Sequence, residues 1–501
     1  MKKIFLLLGT ILITAGVQAQ NITDAFRYST EELNGTARFR AMSGAFGALG
    51  GDLSALQVNP ASSAVFISSF GTITLSDRFN NKDVNYFGTS TSNNNSEINF
   101  NQAGGVLVFK ARNNSPWRKF SIGANYGTTN NFEDAFVARG ISQTSIDQYF
   151  LGYAQGTPLE LLQTREDETI SDLYQFLGER HGHGAQQAFL GYQAYVLDHD
   201  KNTPENTQYN SLIGAGSFNQ DYHEVSTGLN GKFSFNFGTQ FKDFLYLGAN
   251  LNAHFLNYDR ATRFIETNDN AGSATNEVRF ENNLSTNGDG FSFQVGAIAK
   301  LNDRFRVGAS YESPTWYNIS EENTQYLETN NNAGERAVVN PNIINIYPDY
   351  KLRTPGKLTG SLAVIFGKRG LISFDYSYKD FSATEFRPKN DSEFIDQNNN
   401  ISEELQAVST FRLGGEYRIN NWSLRGGYRY EQSPYANETT VGDLNGYSGG
   451  LGYDFGNIKL DLAYTHSSYE ENPRLYEVGL TNTANIDRKI SNVVLSLSFG
   501  L

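Results

Sequence analysis

GLISFDYSYKDF, residues 370–381, decides how the rest of the chain is read. Ile372, Phe374, Tyr376 and Tyr378 alternate with Ser373, Asp375, Ser377 and Lys379, so one face of a strand is apolar and the other carries charge. NIKLDLAYTH (457–466) repeats the pattern, with Ile458, Leu460, Leu462 and Tyr464 opposite Lys459, Asp461, Ala463 and Thr465. NWSLRGGYRYE (421–431) sets Trp422, Leu424, Tyr428 and Tyr430 against Ser423, Arg425, Arg429 and Glu431. FLYLGANLNAHF (244–255) sets Leu245, Leu247, Ala249, Leu251 and Ala253 against Asn250, Asn252 and His254. A soluble sandwich buries its apolar faces in one shared core, and its strands are seldom so long or so many. A transmembrane barrel turns the apolar face to lipid and the charged face to a polar lumen.

The connections agree with a barrel. Tight polar turns are expected at Arg112–Ser115, Gln240–Asp243, Asn302–Arg304, Lys368–Gly370, Ile419–Asn421 and Phe455–Asn457. They alternate with long polar segments near 78–97, 130–221, 259–285, 318–349, 382–404, 431–442 and 466–487, the pattern of periplasmic turns and extracellular loops. Counting between them predicts an antiparallel barrel of about 14 strands, from Ser63 to the final strand ISNVVLSLSFGL. There Val493, Leu495, Leu497, Phe499 and Leu501 share a face that can close on strand one.

Composition narrows the class. The chain has 36 Phe, 28 Tyr and 48 Gly, but only 11 Pro, 3 Trp and 2 Met. Mean hydropathy is −0.46, as expected where hydrophobicity is hidden in alternation. Its formal charge of −13 argues against nucleic acid as a partner. With 0 cysteines it has no disulfide, thiolate metal site or lipoprotein anchor. MKKIFLLLGTILITAGVQAQ reads as a secretory signal: Lys2 and Lys3, an apolar run from Ile4 to Ile13, and a small-residue site at Val17–Ala19. The expected division is a signal peptide at 1–19, an N-terminal plug at 20–62 and the barrel at 63–501.

Within 130–221, Ile170, Leu173 and Leu177, then Phe189, Tyr192 and Val196, fall at helical intervals. Two amphipathic helices are expected in the outer loop after strand three, capping the mouth, since helices do not belong in a barrel wall. A loop this long usually has a task.

The segment 20–62 contains GTARFRAMSGAFGALGGDLSALQVNPAS, whose glycines permit tight backbone approaches. Pro60 fixes its own φ and drives Asn59 extended, directing the chain towards strand one. Such a segment either folds into the lumen or stays a disordered leader. Its pattern of Arg38, Ser43-Gly44, Gly51-Asp52 and Asn59-Pro60-Ala61, just ahead of strand one, resembles the FadL family of outer-membrane transporters for long-chain fatty acids and other hydrophobic compounds. The resemblance implies a hatch in the lumen, with Asn59, Pro60, Ala61, Gly51 and Asp52 among its residues. It also implies a hydrophobic ligand site near the outer mouth, and lateral release through a gap made by an inward kink in strand three. In RKFSIGANYGTT (118–129), Gly123 and Gly127 are the positions that permit such a kink. No ligand-contacting residue carries over.

The expected function is passive uptake of hydrophobic small molecules into the cell through the Gram-negative outer membrane, with no cofactor, no catalytic residue and no visible energy source. The partners expected are the hydrophobic ligand, outer-membrane lipid and lipopolysaccharide, and nothing demands more than a monomer. A porin, an adhesin and an outer-membrane hydrolase are the rivals. Gly446-Tyr447-Ser448-Gly449-Gly450 matches the G-x-S-x-G pattern, yet it sits in an alternating strand rather than a strand–turn–helix. His254 reads as a lumen histidine bonded to its neighbours. His181, His183, His199 and His223 have the chemistry to bind a metal or a haem-like group, but their spacing is unspecific. DQNNNISEE, from Asp396, starts like a calcium loop, but Ile401 replaces the glycine and Ala407 the terminal glutamate, so a solvated acidic loop is expected.

Overall fold

The computed structural model describes residues 21–111, 115–331 and 333–500. The expected signal at 1–19, turn residues 112–114 and Leu501 lie outside the described residues. Among those described, the strands in chain order are β1 (Phe70–Tyr86), β2 (Thr89–Lys110), β3 (Trp117–Asn131), β4 (Asp134–Ser142), β5 (Leu197–His199), β6 (Tyr209–Ser211), β7 (Phe218–Phe241) and β8 (Leu245–Thr267). There follow β9 (Thr275–Lys300), β10 (Phe305–Glu312), β11 (Trp316–Asn331), β12 (Arg336–Val339), β13 (Asn345–Ile346), β14 (Tyr350–Arg353), β15 (Lys357–Phe366), β16 (Gly370–Asp380) and β17 (Glu385–Arg387). The last are β18 (Ala407–Ile419), β19 (Trp422–Glu431), β20 (Leu444–Asp454), β21 (Ile458–Glu471) and β22 (Asn485–Gly500).

These build a closed antiparallel barrel of 14 wall strands. Four wall strands are interrupted: β3–β4, β10–β11 and β16–β17 contribute two named pieces each, and β12–β15 together form a fourth. Closure runs through β1 and β22, in register from Phe70–Gly500 to Asn85–Asn485. The alternation sorts as lipid and lumen require: Phe374 and Leu495 are 40% and 46% exposed, while neighbouring Asp375 and Ser496 are 0%. Aromatics collect near the short-turn end, with Trp117 against Phe241 at 5.0 Å and Trp422 against Tyr453 at 4.8 Å, as an interfacial girdle would.

The chain from Asn21 to Phe66 lies inside. Its helices are α1 (Ile22–Ser29), α2 (Ala37–Ala41) and α3 (Ala55–Val58), followed by a 3₁₀ turn over Pro60–Val65. Asn21 caps α1 by accepting from the Asp24 amide, and Thr36 caps α2 by accepting from Phe39. Hydrogen bonds leave this segment in every direction. They reach Ser496 on β22 (2.7 Å), Ser448 on β20 (2.7 Å), Asp375 on β16 (2.9 Å), Ala297 on β9 (3.0 Å), Asn250 on β8 (2.8 Å) and Ser121 on β3 (2.9 Å). Only a body in the bore can meet strands all round the wall. Wall glycines let its backbone come close: a Cβ at Gly414 or Gly450 would lie 2.6 Å from the Met42 carbonyl oxygen or the Ala41 Cβ.

Several expectations are corrected. Strand one begins at Phe70 rather than near Ser63, because the 3₁₀ turn carries the inner segment on to Val65. The segment 78–97 is no loop: β1 runs to Tyr86 and turns through Phe87 and Gly88, both at positive φ, into β2. Most of 259–285 is likewise strand, in β8 and β9, and β11 occupies the first half of 318–349. Beyond the bilayer neither face has to be apolar, so period two fades from the sequence while the backbone ladder continues.

The outer loop after strand three holds α4 (Asp147–Ala154), which the spacing did not suggest, and α5 (Ile170–Gln193). Gly182, at φ 79°, divides α5 into the two expected helical pieces, though Val196 falls beyond its end. DQNNNISEE is not a solvated loop but lies in α6 (Ser392–Glu404), where Ile401 is buried with Phe394 and Leu405.

Candidate functional site

The wall is discontinuous at strand three. The β2–β3 ladder begins at Lys110–Lys119 and stops at Gln102–Gly127. Against β7, register slips between Thr128 and Asn130, the ladder runs on to Asn131–Leu229, and after a two-residue break it resumes at Asp134–Ser226. β2 itself continues to Thr89 with no ladder to β3 or β4, so beside residues 128–133 the backbone ladder is missing and side chains alone join the two strands. Of the positions expected to permit a kink, Gly123 lies in unbroken ladder and Gly127 on its last rung. Both face the inner segment: a Cβ would lie 3.2 Å from Leu56 at Gly123 and 2.6 Å from Gln57 at Gly127.

Side chains hold the interrupted segment in place. Asp134 accepts from Lys82, from Asn80 (2.9 Å) and from Arg488 (2.9 Å), while Arg78 donates to the Glu133 carbonyl (3.2 Å). Asn131 donates to Asn99 on β2 (2.9 Å), and the Val137 amide donates to Asn93 (3.2 Å). The inner segment joins the same place: the Glu32 amide donates to the Thr129 carbonyl (2.8 Å), and Asn130 donates to Thr30 (2.9 Å). Asp134 is the common anchor. The Lys82 side chain is 0% exposed and that of Arg488 10%, so removing their carboxylate strands buried charge. Asp134→Asn should cost about 3 kcal/mol locally, read as faster amide hydrogen exchange across 131–137 with the rest of the barrel unchanged. Unaltered exchange there would remove Asp134 from this role.

A cavity of about 440 Å³ opens against the break. Phe132 and Asp134 line it from the wall, Phe26 and Arg27 from α1, and Tyr149 and His183 from the outer helices. Tyr476 adds a ring stacked 20° from Phe280, and Tyr258 lies under the Arg27 guanidinium at 4.4 Å. Burial pushes the His183 imidazole down to about 4, so it is neutral in this wall. Arg27 is paired with Asp24, and the Glu224 carboxylate accepts from Tyr222 (2.8 Å). The Arg260 guanidinium lines the same cavity with no hydrogen bond or ion pair among the described residues, and the Glu224 and Asp24 carboxylates stand within electrostatic reach of it. A second cavity of about 210 Å³ shares Phe26, Thr30, Glu32 and Asn130 with the first and reaches inward to Ser43 and Ser448. The N-terminal strap at Thr30–Glu32 therefore lies between two adjoining cavities.

The anticipated inner residues come together. Asn59 donates to the Gly47 carbonyl (2.8 Å) and to Ala297 of β9 (3.0 Å), and its side-chain oxygen accepts from the Ala61 amide (3.1 Å). The Pro60 carbonyl accepts from Asn236 of β7 (2.9 Å). Gly51 holds φ 68°, and Asp52 accepts from Thr36 (2.8 Å) and the Ser54 amide (2.9 Å), burial raising its carboxyl above the ordinary value. Arg38 reaches across to Glu416 of β18 (2.8 Å).

The histidines do not converge. His199 bonds Asp198 and His223 bonds Asp221, each at 2.8 Å, and among the described residues no group of three or more His, Cys, Asp or Glu is placed to hold a metal. Ser448 contacts Ser43 and the Ala41 carbonyl (3.0 Å). His254 bonds Ser292 (2.8 Å), which is itself fully buried. Sequence reasoning passed over Asp134, Lys82, Arg488 and Arg260, whose only local signal is charge in the outer halves of strands.

A closed barrel with its own leading segment in the bore and an interrupted ladder at its third wall strand is an outer-membrane barrel of the transport class. The chain belongs to the family described as outer membrane protein transport protein (OMPP1/FadL/TodX), whose model matches residues 215–499. Its structure is similar to a Pseudomonas aeruginosa FadL homologue, at 12% identity over 94% of this chain and 99% of that one, with a TM-score of 0.54. It is also similar to the Pseudomonas putida toluene transporter TodX, at 14% identity over 94% and 100% of the two chains (TM-score 0.51). The Ralstonia pickettii toluene transporter TbuX is similar at 16% identity over 94% and 99% (TM-score 0.50). At these identities the likeness is one of fold. No curated protein matches the chain.

Proposed function

We propose that this protein is a non-enzymatic, monomeric channel of the outer membrane, exported behind the signal at 1–19, that takes up long-chain fatty acids. The ligand enters the larger cavity, the hatch formed by the N-terminal segment shifts, and the molecule leaves sideways into the bilayer beside strand three. The observation that carries this reading is the shared boundary: Asn130–Asp134 both line the cavity and form the break in the wall. An apolar solute partitions readily into such a pocket while crossing an aqueous pore poorly. An interrupted ladder at the pocket's edge gives it an exit that avoids water.

The fatty acid assignment rests on Arg260. A guanidinium whose donors make no hydrogen bond to the carboxylates near it still has them to offer a ligand carboxylate, with the rings around it taking the chain. The aromatic lining, with Tyr149 and Tyr476 in contact and backed by buried Phe280, also favours a second reading, in which the ligand is a neutral aromatic hydrocarbon of the kind named for TodX and TbuX. One variant separates the two. Arg260→Gln should lower uptake of radiolabelled palmitate about tenfold, the worth of one charge-assisted hydrogen bond, and leave uptake of labelled toluene unchanged. Equal palmitate uptake by variant and wild type would withdraw the carboxylate reading.

A further inference from the structure

Outside the barrel, where β14 and β17 rise above the lipid-facing wall, three cations gather on one carboxylate with a fourth alongside. β14 pairs with β17 so that Lys351 stands opposite Arg387 and Arg353 opposite Glu385. Glu385 accepts from Arg353 (3.1 Å) and Arg387 (2.8 Å) and also binds Lys389, while Lys351 makes no ion pair among the described residues. The Glu385 side chain is 9% exposed, and those of Arg387 and Lys389 are 42% and 62%, so the carboxylate is covered and the cations face out. Of the nearby acids, Asp380 caps the Ser382 turn (3.1 Å), while Asp349 and Asp391 lie two residues from Lys351 and Lys389 along the chain. Lys351 stands opposite Arg387, and Lys389 shares Glu385 with Arg387, so the exposed cations lie together.

Its height on the wall is fixed by neighbours. Trp316, exposed on β11, pairs with Arg353, and the outward apolar row of β16 ends at Tyr378 just below. An indole at the edge of an apolar band marks the headgroup level. The long connections lie on this side, so the leaflet is the outer one. Directly beneath runs an outward groove of about 620 Å³. Its floor is Ala297, Ala309 and Gly360, which stand side by side in register, and its rim is Tyr311, Leu358 and Tyr378 in the next row. From Gly360 up to Arg353 is roughly 20 Å at about 3.3 Å per residue, within reach of one lipid acyl chain.

We infer that this face binds a phosphorylated, acylated lipid of the outer leaflet, the lipid A portion of lipopolysaccharide. Lys351, Arg387 and Lys389 receive a phosphate, and the groove over Gly360 receives an acyl chain. Phosphate suits this cluster because guanidinium and ammonium groups whose single shared carboxylate is covered still have donors to give. The inference concerns the outer wall and stands apart from the transport path inside.

The test uses the full-length protein in mild detergent, titrated with bis-phosphorylated lipid A and read by native mass spectrometry. Folding of each variant is checked by the heat-dependent gel mobility of intact barrels. Wild type should retain one lipid A. K351Q/R387Q/K389Q should weaken it on the order of a hundredfold, since each surface cation is worth about 1 kcal/mol. Gly360→Phe, which fills the groove without changing charge, should also weaken it, whereas K368Q/R369Q on a short turn should not. Wild-type affinity in the triple variant would overturn the inference. So would equal binding of lipid A stripped of both phosphates, or displacement of bound lipid A by millimolar inorganic phosphate alone.

Discussion

Deleting Asn21–Phe66 should turn a nearly silent barrel into an ion-conducting one, with single-channel conductance in planar bilayers rising at least about tenfold, as in barrels whose lumen is open. The inner segment occupies the bore, and the side chains facing it are largely polar: Asp375, Glu416, Arg425 and Lys232 would become wetted walls of a pore. The wall should survive the deletion, because its strongest ionic cluster is internal to it. Glu416 loses Arg38 but keeps Arg425 (2.8 Å) and Arg418 (2.6 Å), and Arg425 keeps Asp461 (2.6 Å). A folded, deleted barrel that stays silent would show that something other than this segment closes the bore.

Fastening the segment to the wall should have the opposite effect, abolishing uptake. Ser43 and Ser448 stand with their hydroxyl oxygens 2.7 Å apart, and Ser63 and Ser121 at 2.9 Å. Both pairs join the inner segment to a wall strand, and both are close enough for cysteine replacements to bridge. The chain has 0 cysteines of its own, so S43C/S448C or S63C/S121C would form a single defined cross-link. Oxidised S43C/S448C should take up labelled palmitate at least about tenfold more slowly than the reduced form, if hatch movement gates passage, and dithiothreitol should restore the rate. The second pair locates the moving part. If only the Ser43 link blocks uptake, the Thr30–Ser43 region moves while the Pro60–Val65 turn stays fixed. Full uptake in both oxidised variants would exclude hatch movement from the mechanism.

The two experiments bear on different links of the argument. Conductance reads whether the segment seals the bore, and cross-linking reads whether it must move. A static plug with ligand passing entirely above it would satisfy the first and fail the second. The strand-three break makes that distinction sharp, because the Glu32 amide is bonded to Thr129 there and the strap touches the interrupted segment directly.

Alternation alone determined the barrel. Phe374 against Asp375 and Leu495 against Ser496 obey a local rule, set by one face in lipid and one in the lumen, and a local rule is written residue by residue. The glycine-rich lead and Asn59-Pro60-Ala61 likewise marked an irregular body ahead of the first strand, since φ freedom and proline restraint are intrinsic to those residues. What the sequence left open was set by contacts between distant segments. The outer halves of β1, β8 and β9 looked like loops, because outside the bilayer no apolar face is demanded and only the cross-strand ladder keeps them extended. The break at strand three was not legible at Gly123. It arises where Lys82, Arg488 and Asn80, from the first and last wall strands, converge on Asp134, and such long-range pairing of charges leaves no mark on neighbouring residues. Arg260 in the cavity and the cations around Glu385 belong to the same category: a charge is ordinary in sequence and becomes informative only when tertiary structure shows what surrounds it.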